Sequence, residues 1–372
     1  MRIADHRSRV LEIVRKEFIQ VRRDPRLLRL VLVAPMIQLI VFGYAVSTDV
    51  RHTKTFVVDH DRTQASRSLV EALTGSDYFD VVGTSDRPAD LVRALDHADV
   101  IMGMEIPRGF AADLASGTGA SVQLLFDGTN SNVAGIARGY AEQIVQGFGV
   151  NTLSTPISPP VELRERAWYN PDLASRNYNV PGVIGTVTLL MCLLLTSLAV
   201  VREREMGTLE QLMVSPLSPG ELIAGKTIPF GLIGLLDLVL VTSVALLWFG
   251  IPLQGSLFLL FGASVFFLMS ALGIGLLIST LSSTQQEAFM LTFLILMPML
   301  LLAGFMFPVS SMPEFFQWAT LLIPLRHFLE IIRGIFLKGA GLESLWPQFL
   351  SLVVMGVGVL AFAASRFSKR MA

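Results

Sequence analysis

Apolar residues along this chain collect into long unbroken runs separated by polar stretches. Six runs, at 27–46, 181–201, 228–249, 257–278, 288–307 and 346–365, are almost continuously apolar. Each is close to the roughly 20 residues that a helix needs to cross a hydrocarbon core. The pattern therefore predicts a polytopic α-helical membrane protein with six transmembrane helices.

The residues at 47–180 follow another rule. Short β-rich runs at 55–58, 79–83, 100–105 and 122–126 alternate with segments of helical period at 64–73, 89–95, 110–115 and 132–150. This alternation predicts an α/β domain inserted between helices one and two. Asp86 with Pro88, and Thr129 with Asn130, read as helix starts, Gly117 and Gly119 as a turn, and the Pro-rich stretch at 155–160 as the end of the domain.

Before the first apolar run, residues 1–26 form an amphipathic segment. Val10, Ile13, Val14, Phe18 and Val21 fall on one helical face, with Arg15, Lys16, Arg22 and Arg23 elsewhere, as expected of a helix lying in a membrane interface. These 26 residues hold eight Lys or Arg, which predicts a cytoplasmic N-terminus. An even number of spans returns the C-terminus to the same side, in agreement with Arg366, Lys369 and Arg370, and the 47–180 domain becomes extracytoplasmic.

Composition supports a membrane protein. Of 372 residues, 52% are hydrophobic and 16% charged, against about 25% charged in an ordinary soluble domain. A net charge of −1 gives no basic surface for nucleic acid. The five histidines are scattered without ligand spacing, so no metal is expected, and the lone Cys192 excludes an intrachain disulfide framework. No Ser/His/Asp or paired-carboxylate arrangement points to an enzyme.

The loop at 202–226, RERE-MGTLEQLMVSPLSPGELIAGK, is the most informative polar stretch. A charged helix that breaks at Ser215 and Pro216 and restarts after Pro219 makes a stiff element on the cytoplasmic side. Residues 220–227, GELIAGKT, match the phosphate-binding pattern G-x-x-x-x-G-K-[ST] in full. No strand precedes them and a span follows almost at once, so the match is read as coincidence. Lys226 then marks the inner end of the third span. Asp237 is an acid well inside a span and a candidate for the transport pathway. At 308–345 an apolar stretch too short to span, followed by Pro324, predicts an outer re-entrant hairpin. Its Arg326 and Glu330, four residues apart, are candidate gate residues.

Taken in order, these pieces resemble type-2 ABC export permeases of the multidrug-exporter kind. The loop after span two carries the family's elements at Glu203, Arg204, Glu205, Gly207, Thr208, Glu210, Ser215 and Pro216. Lys16, Glu17, Arg23, Asp24 and Pro25 match the amphipathic leading helix. Tyr169, Asn170, Pro171, Pro181 and Gly182 match the approach to span two, and 304–308, Met312, Pro313 and 324–326 match the exit from span five. The resemblance implies that Lys16, Glu17, Arg23, Asp24, Glu203, Arg204, Glu205, Gly207, Thr208 and Glu210 couple the chain to an ATPase.

It further implies an ABC ATPase subunit as partner, which binds ATP and Mg while this chain holds no cofactor, and a second permease copy or a paralogue. The setting would be the bacterial inner membrane, with a periplasmic adaptor as a further candidate partner and hydrophobic or amphiphilic cargo. A stand-alone secondary transporter working through Asp237, or a membrane-anchored sensor or assembly factor using the outer domain, are the alternatives.

Overall fold

The computed structural model describes residues 2–45, 51–116, 119–152, 168–170, 174–207 and 218–371. The chain divides into two compact units, Thr48–Arg166 and the combination of Met1–Ser47 with Ala167–Ala372.

The smaller unit is built on a four-stranded sheet in the order β2-β1-β3-β4, from β1 (Thr53–Asp59), β2 (Phe79–Ser85), β3 (Met102–Ile106) and β4 (Gln123–Phe126). β1 pairs in parallel with β2 and β3, and β4 closes the far edge antiparallel to β3. The parallel pairs need crossovers, supplied by α3 (Gln64–Thr74) and α4 (Pro88–Asp96). α5 (Phe110–Ser116) and α6 (Ser131–Thr152) complete the unit. Val57, Leu69, Leu73, Met102, Met104 and Ile106 form its core with Ala137 and Ala141 of α6. Asp61, just beyond β1, accepts from the Gly109 and Ala111 amides at 2.8 and 3.1 Å, which anchors the start of α5. The Thr63 hydroxyl and those amides hold its carboxyl below the usual aspartate pKa.

The larger unit is helical. α1 (Arg2–Arg23) ends at Asp24, and α2 (Pro25–Ala45) begins at once with proline in its first turn. The long central helix α7 (Ser175–Glu205) packs against α2, α8 (Pro219–Leu247), α9 (Leu257–Leu281), α10 (Gln285–Leu302) and α12 (Pro324–Arg333). α13 (Leu342–Met371) lies mainly along α9. The core runs from Val183 and Ile184 of α7 through Leu238, Phe267 and Leu268 to Phe328 and Ile332 of α12. The Phe267 and Phe328 rings stack at 4.1 Å.

Among the described residues, five helices are long and apolar enough to cross a membrane: α7, α8, α9, α10 and α13. α2 carries the first apolar run, from Leu27 to Ala45 with Arg29 near its start. Arg29, whose Nε donates to the Pro25 carbonyl at 3.1 Å, begins the polar end of the helix.

Two expectations shift. Residues 168–170 and 174–180, placed by sequence with the inserted domain, fall in the helical unit. α7 starts six residues before the expected span, Asn177 donates to Asn170 at 3.0 Å, and the Arg333 guanidinium lies 3.8 Å over the Tyr178 ring. The buried stripe of α1 is Ile13, Glu17 and Val21, at steps of four, while Phe18 is 39% exposed. An acid joins the buried face because ion pairs meet it there. Between 308 and 345 the chain forms a 3-10 turn (Val309–Ser311), α11 (Glu314–Thr320), α12 and a π turn (Gly334–Lys338).

Candidate functional site

α8 starts with a full capping box. Ser218 accepts from the Glu221 amide at 3.3 Å while the Glu221 carboxylate accepts from the Ser218 amide at 2.6 Å, and Pro219 sits in the first turn. Residues 220–227 are therefore α-helix from the outset. They do not form the strand-loop-helix cradle that the phosphate-binding pattern requires, because their amides enter the helical ladder. α1 packs along this helix, and Gly225 makes the approach possible: a Cβ there would lie 2.7 Å from Ile13 Cβ.

The same face of α8 presents Lys226, which is 2% exposed. Its ammonium pairs with the Glu203 carboxylate at the end of α7 and lies 3.5 Å from Glu17 of α1. Lys16 reaches Glu203 from the other side at 2.6 Å and Glu17 at 3.5 Å. Two cations and two anions from three helices thus form a neutral cluster in which only Lys16 is substantially exposed. Burial works against the Lys16 ammonium, but Glu203 and then Glu17 outweigh it and raise its pKa above the usual lysine value. Removing one member of such a cluster strands a buried charge at a cost of about 3–5 kcal/mol.

The neighbours of Glu203 are committed to other elements. Arg202 pairs with Asp24, in the joint between α1 and α2, at 3.4 Å. Arg204 donates to the Ser282 carbonyl at 2.6 Å and the Ser279 carbonyl at 3.3 Å, at the end of α9. Glu205 accepts from the Gln285 amide at 2.8 Å, and from its side-chain amide, at the start of α10. A cation at a helix C-terminus and an anion at an N-terminus both match the helix dipole. Four consecutive residues, Arg202 to Glu205, therefore tie the end of α7 to α1, α2, α8, α9 and α10.

Gly207 follows at φ +70°, a left-handed conformation in which a larger side chain would be strained even though no described residue lies within 4 Å of where its Cβ would stand. Met206 beside it is 54% exposed. Arg23 is exposed on the last turn of α1. Thr208 and Glu210, together with the break expected at Ser215 and Pro216, lie outside the described residues.

The candidate gate residues lie apart from this cluster. Arg326 and Glu330 face each other at 3.4 Å on α12. Arg326 also donates to the Gln317 carbonyl at 3.1 Å and to the Thr320 hydroxyl, so it fastens α11, while Glu330 accepts from Gln348 of α13 at 2.8 Å. Asp237 of α8 is 1% exposed, beside Thr188 of α7, and among the described residues neither carboxylate oxygen has a hydrogen-bond partner. Among the described residues, no group of three or more His, Cys, Asp or Glu is arranged to hold a metal.

The sequence assigned Lys16, Glu17 and Glu203 to ATPase coupling by resemblance, without bringing their side chains together, and gave Lys226 only a boundary role. The available signal was local: Lys226 follows Leu222 and precedes Phe230 at steps of four, so it shares a face with residues that must be buried, and a buried lysine needs an acid.

The sequence is similar to known proteins over nearly its whole length. A family profile described as "ABC-2 family transporter protein" matches residues 25–365. The "Probable multidrug ABC transporter permease YbhR" of Escherichia coli (strain K12) is 33% identical over 364 residues, covering 98% of this chain and 99% of its own length. The similarly named YbhS of the same strain is 32% identical, covering 98% and 97%. Its "Inner membrane transport permease YhhJ" is 30% identical, covering 90% and 92%. With a profile spanning most of the sequence and relatives aligned nearly end to end, this chain belongs to the ABC-2 transporter family as a multi-pass membrane permease.

Proposed function

We propose that this chain is the membrane-spanning half of an ATP-driven exporter in a bacterial inner membrane, moved by a separate ABC ATPase subunit that binds ATP and Mg. In this reading α2 serves as a sixth span, both termini are cytoplasmic, and the 48–166 unit stands outside the membrane. Two permease copies, or this chain with a paralogue, form the pathway. The names of the relatives favour drug-like cargo, and lipid-like amphiphiles fit the same apolar bundle.

The observation that carries the reading is the junction at Arg202–Glu205. An ATPase cycle delivers motion at the membrane surface, and a transporter must spread that motion through several helices together. A push on the loop after α7 meets an element already tied by ion pairs and helix-end contacts to α1, α8, α9 and α10. Glu203, Arg204 and Glu205 then act as positioning residues that keep the elbow stiff. The exposed surface of α1 and the stretch around Gly207, Thr208 and Glu210 provides the contact with the ATPase.

The test is ATP-dependent, vanadate-sensitive uptake of a fluorescent amphiphile into inverted vesicles that contain both subunits. Uptake driven by a proton gradient alone, and lost in Asp237→Asn, would instead favour a secondary transporter, the reading to which the unpaired buried Asp237 lends support.

A further inference from the structure

Beside the ion cluster lies a shallow, open cavity of about 490 Å³ at the surface, where the last turns of α1, the start of α2 and the end of α7 meet. Lys16, Arg23 and Arg202 line it, with Asp24 as the single carboxylate and Ile19 and Gln20 on the α1 side. Asp24 is engaged by Arg202 and Lys16 leans on Glu203, while among the described residues Arg23 has no carboxylate within ion-pair range. The cavity therefore carries an excess of positive charge with one guanidinium free to receive an anion.

Its surroundings identify the kind of anion. The outward face of α1 intersperses Leu11, Phe18 and Ile19, 66%, 39% and 43% exposed, with Arg15, Arg22 and Arg23. On the other side α2 turns Leu28, Val33 and Ile37 outward, 39%, 47% and 54% exposed. A water-soluble anion needs no apolar surface at the rim of its site, whereas a phospholipid needs one for its acyl chains. Basic pockets beside membrane helices at the headgroup level attract anionic lipids, and a guanidinium grips phosphate through two parallel hydrogen bonds.

We propose that this cavity binds the phosphate of an anionic phospholipid. Arg23 and Arg202 hold the phosphate, Gln20 lies within the headgroup space, and the acyl chains run along α2. The lipid would then brace the joint between α1 and α2 next to the ion cluster. The proposal rests on α1 lying along the membrane surface, and its test reads lipid binding, so its failure is distinguishable from failure of the exporter reading.

The experiment is native mass spectrometry of the purified full chain released from nanodiscs of equal phosphatidylglycerol and phosphatidylcholine. Wild type should retain phosphatidylglycerol preferentially, and Arg23→Gln should lower that preference about fivefold, the effect of one basic side chain near an anionic surface. Arg22→Gln, exposed on α1 but outside the cavity, should leave it intact, and thermal unfolding should confirm that all three proteins are folded. Equal retention of both lipids, or an equal loss in Arg22→Gln, overturns the proposal. So does displacement of the lipid by millimolar glycerol phosphate, which would mark a site for free anions. Loss of ATPase capture by Arg23→Gln in pure phosphatidylcholine with lipid preference unchanged would assign the cavity to the partner protein and also overturn it.

Discussion

The ammonium of Lys226, in the second turn of α8, pairs with the carboxylate of Glu203, in the last turn of α7, and both side chains are almost wholly buried. The two helices that flank residues 208–217 are thereby locked together. Glu17 and Lys16 of α1 complete the charge balance. Buried pairs of this kind contribute little net stability but penalise any arrangement that separates them. They suit a junction that must hold one geometry.

Because balance matters more than any single charge, Lys226→Met should cost about 3–5 kcal/mol, leaving Glu17 and Glu203 to share Lys16. The double variant Lys226→Met with Glu203→Gln restores one cation to one anion and should be clearly more stable than the sum of the single losses. Thermal unfolding of all three variants in detergent measures the cycle, and additive losses would mean that the pair does not interact.

Glu205 stabilises the start of α10 from outside that helix. Glu205→Ala should cost about 1 kcal/mol, as for loss of a helix cap. Amide hydrogen exchange should rise at residues 284–288 and stay unchanged at the start of α8, where Ser218 and Glu221 form their own box.

At Gly207 the left-handed backbone sets the rule. Gly207→Val should be strained by about 1–2 kcal/mol and Gly207→Asn by less, since asparagine tolerates this conformation. Vanadate-sensitive uptake should fall in the same order, although no described residue lies within 4 Å of where a Cβ would stand.

On the far hairpin, Arg326→Ala removes the donor that fastens α11 to α12 and leaves the Gln317 carbonyl without it. A loss of about 1–3 kcal/mol and faster proteolysis between residues 308 and 323 should follow, while the ion cluster at Lys226 stays protected.

Much of this was legible in the sequence, for reasons that differ by element. The apolar runs declared α7 to α10 and α13 because a spanning helix must be apolar for most of its length, and the β-rich runs declared the strands because period and composition are local. The first apolar run was harder to read, since Arg29 interrupts it near its start. The Arg202–Glu205 motif was visible, but not that its side chains turn inward to Asp24, Lys16, Lys226, the end of α9 and Gln285. Apart from Lys226, those partners lie between 75 and 187 residues away, and no local periodicity encodes such pairing. Lys226 was hidden for a further reason: it sits in a string that imitates a phosphate-binding loop. Only its helical neighbours, Leu222 and Phe230, betray its burial.

The most direct test of the account is uptake of a fluorescent amphiphile by inverted vesicles carrying this permease and its ATPase, compared between wild type and Glu203→Gln. Wild-type uptake should require ATP and stop with vanadate, and the variant should still capture the ATPase while its uptake falls at least about tenfold. Undiminished uptake by the variant, or wild-type uptake that persists without ATP, would contradict the claim that the Arg202–Glu205 junction carries the ATPase stroke into the membrane helices.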